Sequence, residues 1–473
     1  MILRLYNLLL WLAQPLLKRK LRKRGVAEPL YLHATHQRFA RYTAQEQQQA
    51  QSHAGQWLWL HAVSLGETRA AGIVLQTLRQ AHPQLRVLLT HGTATGWQEG
   101  QKLLQDGDMQ VWLPWDTRGA VDRFLHTFRP RAGLILETEI WPQLLTQCHA
   151  LHIPVALVNA RLSEKTLRQW QRLPHLARQI YGCLSVAYAQ TAADAQRLHA
   201  LGTPSVVITG NVKFDATPPA VLLQQGLALR QQWQAQQTPP RPTALLASSR
   251  DGEEALWIQA LQALTAAQRQ AVQWMIVPRH PQRFDAVAAL LQAAGFIVQR
   301  RSQAHLLSET VGNKHTADTI IWLGDSMGEM PLYYAMADVV LMGGSFEKLG
   351  GQNLIEACAC GCPVLLGPHT FNFAEASEQA IAASAALRCT DMAQAVQQAL
   401  ALLLPTNNTH NTVLPPTPLP PQLPAMRQAA VAFSQTHRGA ASRLIADMQQ
   451  RGWLDQIGDE AQVASGCANG SAG

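Results

Sequence analysis

The sequence predicts an α/β protein made of two doubly wound domains facing a central cleft, with an N-terminal membrane anchor ahead of them. Three observations carry this fold class. Short apolar runs alternate with helical patterns along most of the chain, as they do in a parallel sheet with crossover helices. Each run ends in a polar or glycine-rich motif, and in such sheets ligands sit beyond the carboxyl ends of the strands. A Pro- and Gln-rich stretch, residues 216–243, divides the alternation into two series and reads as an interdomain linker.

The chain opens with MILRLYNLLLWLAQPLLKRKLRKRG, residues 1–25. Asn7, Gln14 and Pro15 interrupt its apolar run, which falls short of the ~20 residues a spanning helix needs. A cleaved signal peptide carries its charges ahead of the apolar core, whereas here Lys18 to Arg24 follow it. Apolar first and basic second suits an anchor whose basic flank meets anionic headgroups at a cytoplasmic face. A single membrane span is the other reading.

Residues 26–215 form the first domain. After a Gln-rich stretch (43–56) that reads as a solvated insertion or a helix end, Trp57–Val63 is a buried strand leading into SLGE and a helix over 68–79. Arg86–Thr90 leads into HGTATG and a second helix; Val111–Leu113 and Gly133–Leu136 follow, the latter ending in ETEIWP. Val155–Val158 runs into NARLS, and Val206–Ile208 into GNVKFD. This is one Rossmann-like unit.

The second domain, residues 244–403, begins with ALLASSRDGEE, and its strand at Trp274–Val277 runs into PRHPQRF. Its most regular part is Ile320–Pro368: strand Ile320–Leu323, helix Met330–Met336, strand Val339–Met342, a helix starting near Gln352 and strand Pro363–Leu366. Two glycine-rich loops feed the helices of this part, and free backbone N–H groups there suit a phosphate. The same spacing also fits an ordinary structural βαβαβ unit. Residues 404–425 are low-complexity Pro and Thr, a helix is expected over about 426–450 within a C-terminal segment 426–459, and 460–473 reads as a disordered tail.

Hydrophobic residues make up 47% of the 473, enough for sizeable cores, which excludes a disordered chain. The 39 basic against 31 acidic residues give +8, which suits an anionic partner without choosing among nucleic acid, membrane and phosphorylated substrate. Seven cysteines show no zinc-type pairing, and free thiols suit a reducing compartment.

The residues that could do chemistry lie at strand ends. Glu67 is placed either as a general base or as the N3 partner of an Ser64 N-cap; the helix dipole lowers its pKa unless burial offsets this. Glu137 and Glu139 are two apart after one strand, so an extended backbone turns only one toward the cleft. Lys213 can neutralise developing negative charge or be a solvated loop lysine, and Arg279 with His280 is a phosphate clamp or a solvated pair. Glu356 is placed to meet ribose hydroxyls.

Taken together, HAVSLGE, ETEIWP, NARLS, GNVKFD, PRHPQRF, GDSMGE, the run GGSFEKLGGQNLIEA and GPHTFNF resemble the lipid A 3-deoxy-D-manno-octulosonate (Kdo) transferases, in that family's order and over most of the chain. The resemblance implies a GT-B glycosyltransferase on the cytoplasmic side of an inner membrane. It implies transfer of Kdo from a CMP-Kdo donor to a tetraacylated lipid A precursor, with inversion, without cofactor or metal, and with no part for nucleic acid. By the same resemblance Glu67 is the general base, Glu137 and Lys213 stabilise the transition state, and Arg279, His280, Met327, Gly328, Glu329, Asn353, Leu354, Ile355 and Glu356 contact CMP. The sequence departs from the family at Gln352 (usually histidine), at Leu354 (often proline) and at Ser249-Arg250-Asp251, which replaces a Thr-His pair ahead of GEE. Two other readings are a membrane-associated GT-B transferase for a UDP-sugar and a non-enzymatic sugar-nucleotide-binding scaffold. Retention of Glu67, Glu137, Arg279, His280 and Glu356 together argues against the scaffold.

Overall fold

In the computed structural model the described residues are 2–235, 237, 240–306, 319–404 and 422–454. Most of the low-complexity stretch and the whole of the tail lie outside them. The chain divides into two units, residues 1–215 with 438–473, and residues 216–437.

The first unit is a seven-stranded parallel sheet of β1 (Trp57–Ala62), β2 (Arg86–His91), β3 (Met109–Trp112), β4 (Ala132–Leu136), β5 (Val155–Ala160), β6 (Val186–Ala189) and β7 (Val206–Ile208). Their spatial order is β3-β2-β1-β4-β5-β6-β7. The chain reverses direction across the sheet between β1 and β4, the switch point where ligands bind in doubly wound folds. β1 shows why these strands read as unbroken apolar runs. Trp57 and Trp59 enter one core with Phe124 and Phe128, while Leu58 and Leu60 enter the opposite core with Val74 and Leu78. A strand covered on both faces needs no polar alternation.

The second unit repeats the plan with β8 (Thr243–Ser249), β9 (Gln273–Pro278), β10 (Ile297–Arg300), β11 (Ile320–Leu323), β12 (Val339–Met342), β13 (Val364–Leu366) and β14 (Ala386–Arg388), ordered β10-β11-β9-β8-β12-β13-β14. Its switch point lies between β8 and β12. The strands read from sequence stand within a residue or two of their expected places; β6, β10 and β14 were not anticipated. β14 is a three-residue edge strand, and β10 is an edge strand whose residues are all only partly buried, so neither carries a strong apolar run.

Two segments differ from expectation. Residues 216–243 are more than a linker. The helix Ala220–Ala235 packs on the helix Met330–Met336 within the second unit, where Gly226 admits the carbonyl of Leu332 and Arg230 binds the fully buried Asp338 at 2.8 Å. The single expected C-terminal helix is two, Gln422–Thr436 in the second unit and Ala440–Gln450 in the first, broken at Gly439 with φ +93°. Asp215 accepts the amides of Gly439 and Ala441 at 2.5 and 2.6 Å and so starts the final helix.

The N-terminal segment is one helix, Ile2–Ala27. Tyr6 donates to Asp116 at 3.0 Å, and Asn7 accepts the Arg118 amide at 2.7 Å. Leu5, Leu8, Leu9, Trp11, Leu12 and Leu16 are exposed. Among the described residues no helix is long and apolar enough to cross a membrane. The Gln-rich stretch is in part the helix Ala44–Ser52, opened by a Thr43–Glu46 capping box.

Candidate active site

In the first unit the predicted residues lie on both sides of the β1/β4 switch point. β1 turns through Val63 and Ser64 into the helix Leu65–Ala81. Ser64 Oγ accepts the Glu67 amide at 3.4 Å, a normal N-cap, and the Glu67 carboxylate turns back over the cap, where the Ser64 amide helps to favour its charged form. It reaches one residue further back, accepting Val63 N–H at 2.6 Å and the Ser64 hydroxyl at 3.2 Å. The turn is pinned from the next strand end: Thr93 donates its amide and hydroxyl to Val63 O at 3.1 and 2.7 Å. A Cβ on Gly96 would stand 2.8 Å from that same oxygen, so the close approach requires glycine there.

The capping reading of Glu67 therefore holds, and the group that anchors the turn is a carboxylate in a distinctive environment. Burial pushes its pKa up, the Val63 amide pulls it back, and neighbouring Glu137 pushes it up again. Glu139 is pushed up to about 7 by burial and by Glu67. A carboxylate with a raised pKa is a better proton acceptor, which suits general-base work near neutral pH.

Glu137 directly follows β4 in the left-handed region, φ +59°, and is 5% exposed. That conformation is strained for a residue with a Cβ, and it persists because the residue is held at three points. Its amide donates to Val158 O at 2.8 Å, Lys213 Nζ donates to Oε1 at 2.6 Å, and Arg161 Nε lies 3.4 Å from Oε2. The turn also breaks the simple alternation expected of Glu137 and Glu139, and both come close enough to Glu67 to perturb its charge or be perturbed by it. Lys213 is set by Asn159, a fully buried residue at φ +53° whose Oδ1 accepts the Val212 amide at 3.1 Å. Arg161 was not singled out from sequence, although its place one residue beyond β5 is the same signal that marks Glu137 beyond β4.

In the second unit the predicted residues gather at the carboxyl ends of β8, β9, β11 and β12. Arg279 follows β9, donates its amide to Ser249 O at 3.0 Å and lies 3.3 Å from Gln352 Oε1 through its Nε. Gln352, one of the positions where the sequence departs from the family's motif, is thus a side-chain partner of Arg279. His280 is exposed, and its pKa is lowered first by the burial it has and then by the neighbouring cations Arg250 and Arg279. After β11, Met327 is 55% exposed, and Gly328 at φ +82° has open space around it. The Glu329 carboxylate accepts from Arg301 at 3.2 Å and from Ser326. After β12, Asn353 precedes the short helix Leu354–Ala359; its Oδ1 is buried and has no hydrogen-bond partner among the described residues. Leu354 and Ile355 have buried side chains, and Glu356 is partly exposed.

The expectation of free amides in the Gly343–Gly351 loop needs correcting. Gly343 N–H goes to Ala247 O at 2.8 Å and Gly351 N–H to Gly344 O at 2.7 Å, while those of Gly344 and Phe346 go to the Glu253 carboxylate at 2.6 and 3.0 Å. The neighbouring Glu253 carboxylate fills the place an anion would take at the Gly344 and Phe346 amides. Among the described residues no group of three or more His, Cys, Asp or Glu side chains is arranged to hold a metal ion.

The comparisons agree with this architecture. Residues 33–216 match the family model described as 3-Deoxy-D-manno-octulosonic-acid transferase (kdotransferase), and residues 278–410 match Glycosyl transferases group 1. The chain is 44% identical to the 3-deoxy-D-manno-octulosonic acid transferase of Bordetella pertussis over 84% of its own length and 87% of that protein's. It is 32% identical to the transferase of the same name from Haemophilus influenzae, over 84% and 90%. Among solved structures, Anabaena Alr3699/HepE in complex with UDP aligns with a TM-score of 0.54 at 13% identity, covering 84% of this chain and all of that one, a likeness of fold alone. With two parallel-sheet α/β units of the GT-B type and this degree of identity over most of its length, the chain belongs to the 3-deoxy-D-manno-octulosonic acid (Kdo) transferase family.

Proposed function

We propose that this chain is an inverting glycosyltransferase that moves Kdo from CMP-Kdo to the tetraacylated lipid A precursor, lipid IVA, in lipopolysaccharide core assembly on the cytoplasmic side of the inner membrane. The observation that carries the chemistry is the Glu67 environment, a half-buried carboxylate with a raised pKa at a switch point, beside the Glu137–Lys213–Arg161 group. The acceptor hydroxyl gives its proton to Glu67 as its oxygen attacks the anomeric carbon of the donor sugar. The bond from that carbon to the CMP phosphate oxygen breaks, and CMP leaves with the electron pair. Cations near the leaving phosphate and the sugar's carboxylate stabilise the charge that shifts during this step.

Binding of the nucleotide is supported by Arg279, His280 and Arg250, with Met327, Gly328 and Asn353–Glu356 beside them. Membrane association is supported by the exposed Leu and Trp side chains of the N-terminal helix and by the basic residues Lys18 to Arg24 that follow them. A helix of this kind lies in the interface, its apolar side among acyl chains and its cations on anionic headgroups. The direct test incubates purified protein with CMP-Kdo and lipid IVA, without added metal, and resolves products by mass. A Kdo-bearing lipid supports the reading and counts the sugars added. Turnover of a UDP-sugar in place of CMP-Kdo would transfer the assignment to a different donor class.

A further inference from the structure

The GEE motif after β8 takes no part in the chemistry above, yet it holds two of the most deeply buried carboxylates in the second unit. Glu253 is 0% and Glu254 1% exposed. They are adjacent and point to different loops. Glu253 accepts three main-chain amides from two strand ends: Arg250 at 2.9 Å after β8, and Gly344 at 2.6 Å and Phe346 at 3.0 Å after β12. Glu254 accepts the hydroxyl of the buried Ser249 at 2.9 Å and Arg283 at 3.2 Å, tying β8 to the segment after β9. Two neighbouring acids thus tie together the three strand ends that carry Arg250, Arg279 and, through the Gly344–Gly351 hydrogen bond, Gln352.

Burying a carboxylate is costly, and a buried glutamate whose bonds all run to main-chain amides is retained for what those amides hold in place. The Gly343–Gly351 loop illustrates the point. A Cβ on Gly343 would lie 2.4 Å from Ser248 O, so the loop sits against β8 as closely as a main chain can. Convergent N–H groups in such a loop form an anion-binding hollow, and they repel one another when it is empty.

We propose that Glu253 is the positioning residue of the nucleotide-binding loops of the second unit: its carboxylate oxygens fill this amide hollow and hold the loops after β8 and β12 in the shape that presents Arg250, Arg279 and Gln352 to the nucleotide. The proposal rests on the reading of this unit as the CMP-binding one. A glutamine at 253 would keep the volume but turn an NH2 group toward an N–H donor, so at least one amide loses its acceptor.

The test measures CMP affinity by calorimetry on the full chain, with thermal melting and the donor and acceptor KM values alongside. For E253Q we expect CMP binding weakened at least tenfold and the donor KM raised by a similar factor, with the acceptor KM within twofold of wild type. E253A empties the hollow, and added formate, a free carboxylate of the right size, should restore CMP affinity in that variant. CMP binding by E253Q within twofold of wild type overturns the proposal. So does a loss that formate leaves untouched, since the effect then belongs to the fold and not to the filled hollow. If E253Q does not fold, E253D carries the measurement: it keeps the charge and draws it back by one methylene, and wild-type affinity in that variant overturns the proposal equally. A wild-type chain that binds no CMP fails the donor reading instead, and does so before any variant is made.

Discussion

Glu67→Gln separates the two roles that Glu67 combines. The amide is isosteric, its oxygen can still accept Val63 N–H, and the Ser64 hydroxyl can turn to accept from the new NH2 group. Exchanging a charged acceptor for a neutral one costs about 1 kcal/mol of hydrogen-bond strength. Against this, the sign of the pKa shift favours the variant. Glu67 titrates above its ordinary value when folded, so its contribution to stability is full below the unfolded pKa and lost as pH rises through the folded one. At neutral pH the carboxylate is therefore a cost to the fold, from burial and from repulsion by Glu137, and glutamine removes it. The net change in stability is expected within about 1 kcal/mol of zero, a Tm within a few degrees. Turnover, lacking its proton acceptor, should fall roughly 10²–10⁴-fold, or about 2.7–5.5 kcal/mol in activation free energy. The assay pairs initial rates of CMP release with thermal melting and CMP calorimetry. In the wild type, kcat/KM against pH should have an acid limb centred above the ordinary glutamate value of 4.5. A variant that keeps more than a tenth of wild-type turnover, or that loses CMP affinity in proportion to rate, would refute the assignment of Glu67 as base.

Replacing Lys213 by methionine leaves the buried Glu137 with Arg161 as its remaining cation among the contacts described above; the expected loss lies at the low end of the roughly 3–5 kcal/mol for breaking a buried pair, read by urea denaturation, and adding E137Q should recover part of it. His61 and His91 are buried and neutral, with burial lowering their pKa values to about 3 and 4. Stability should therefore fall as pH drops below the unfolded value near 6.5, by up to about 1.4 kcal/mol per pH unit for each histidine. Asp116 and Glu139, raised by burial to about 6 and 7, act with the opposite sign, so the histidine part is isolated by comparing the pH dependence of Tm in wild type and His91→Gln. Serine at Leu8, Trp11 and Leu12 together should abolish co-sedimentation with anionic vesicles while leaving Tm unchanged within a few degrees; retained binding would place membrane contact elsewhere on the chain.

Much of the architecture is legible before any coordinates. β1, β2, β4, β8, β9, β11 and β12 are recognisable because strands covered on both faces must be apolar throughout, and the chemistry-bearing residues lie at their carboxyl ends because a parallel sheet leaves only that edge open to a ligand. Glu67 illustrates how far local reading goes: the Ser64 cap follows from spacing, and the conflict between dipole and burial is visible as a question. The answer required knowing how deeply the turn is buried and that Glu137 stands beside it. Residues 220–235 read as linker because a Pro- and Gln-rich frame hides a helix whose value lies in contacts with residues about a hundred positions on, Leu332 and Asp338.

The local sequence, then, determined the strands, their order along the chain and the residue types at their ends, because backbone propensity, burial pattern and turn chemistry act over a few residues. Which strand ends become neighbours was decided only in three dimensions. Residues 67, 137, 161 and 213 meet because β1 pairs with β4 and β4 with β5, and because Asn159, near the end of β5, holds the Val212 amide. Glu253 fills a hollow formed by amides some ninety residues away. Such pairings are set by the packing of whole faces and by the need to satisfy every buried polar group at once, and no window of sequence contains that information.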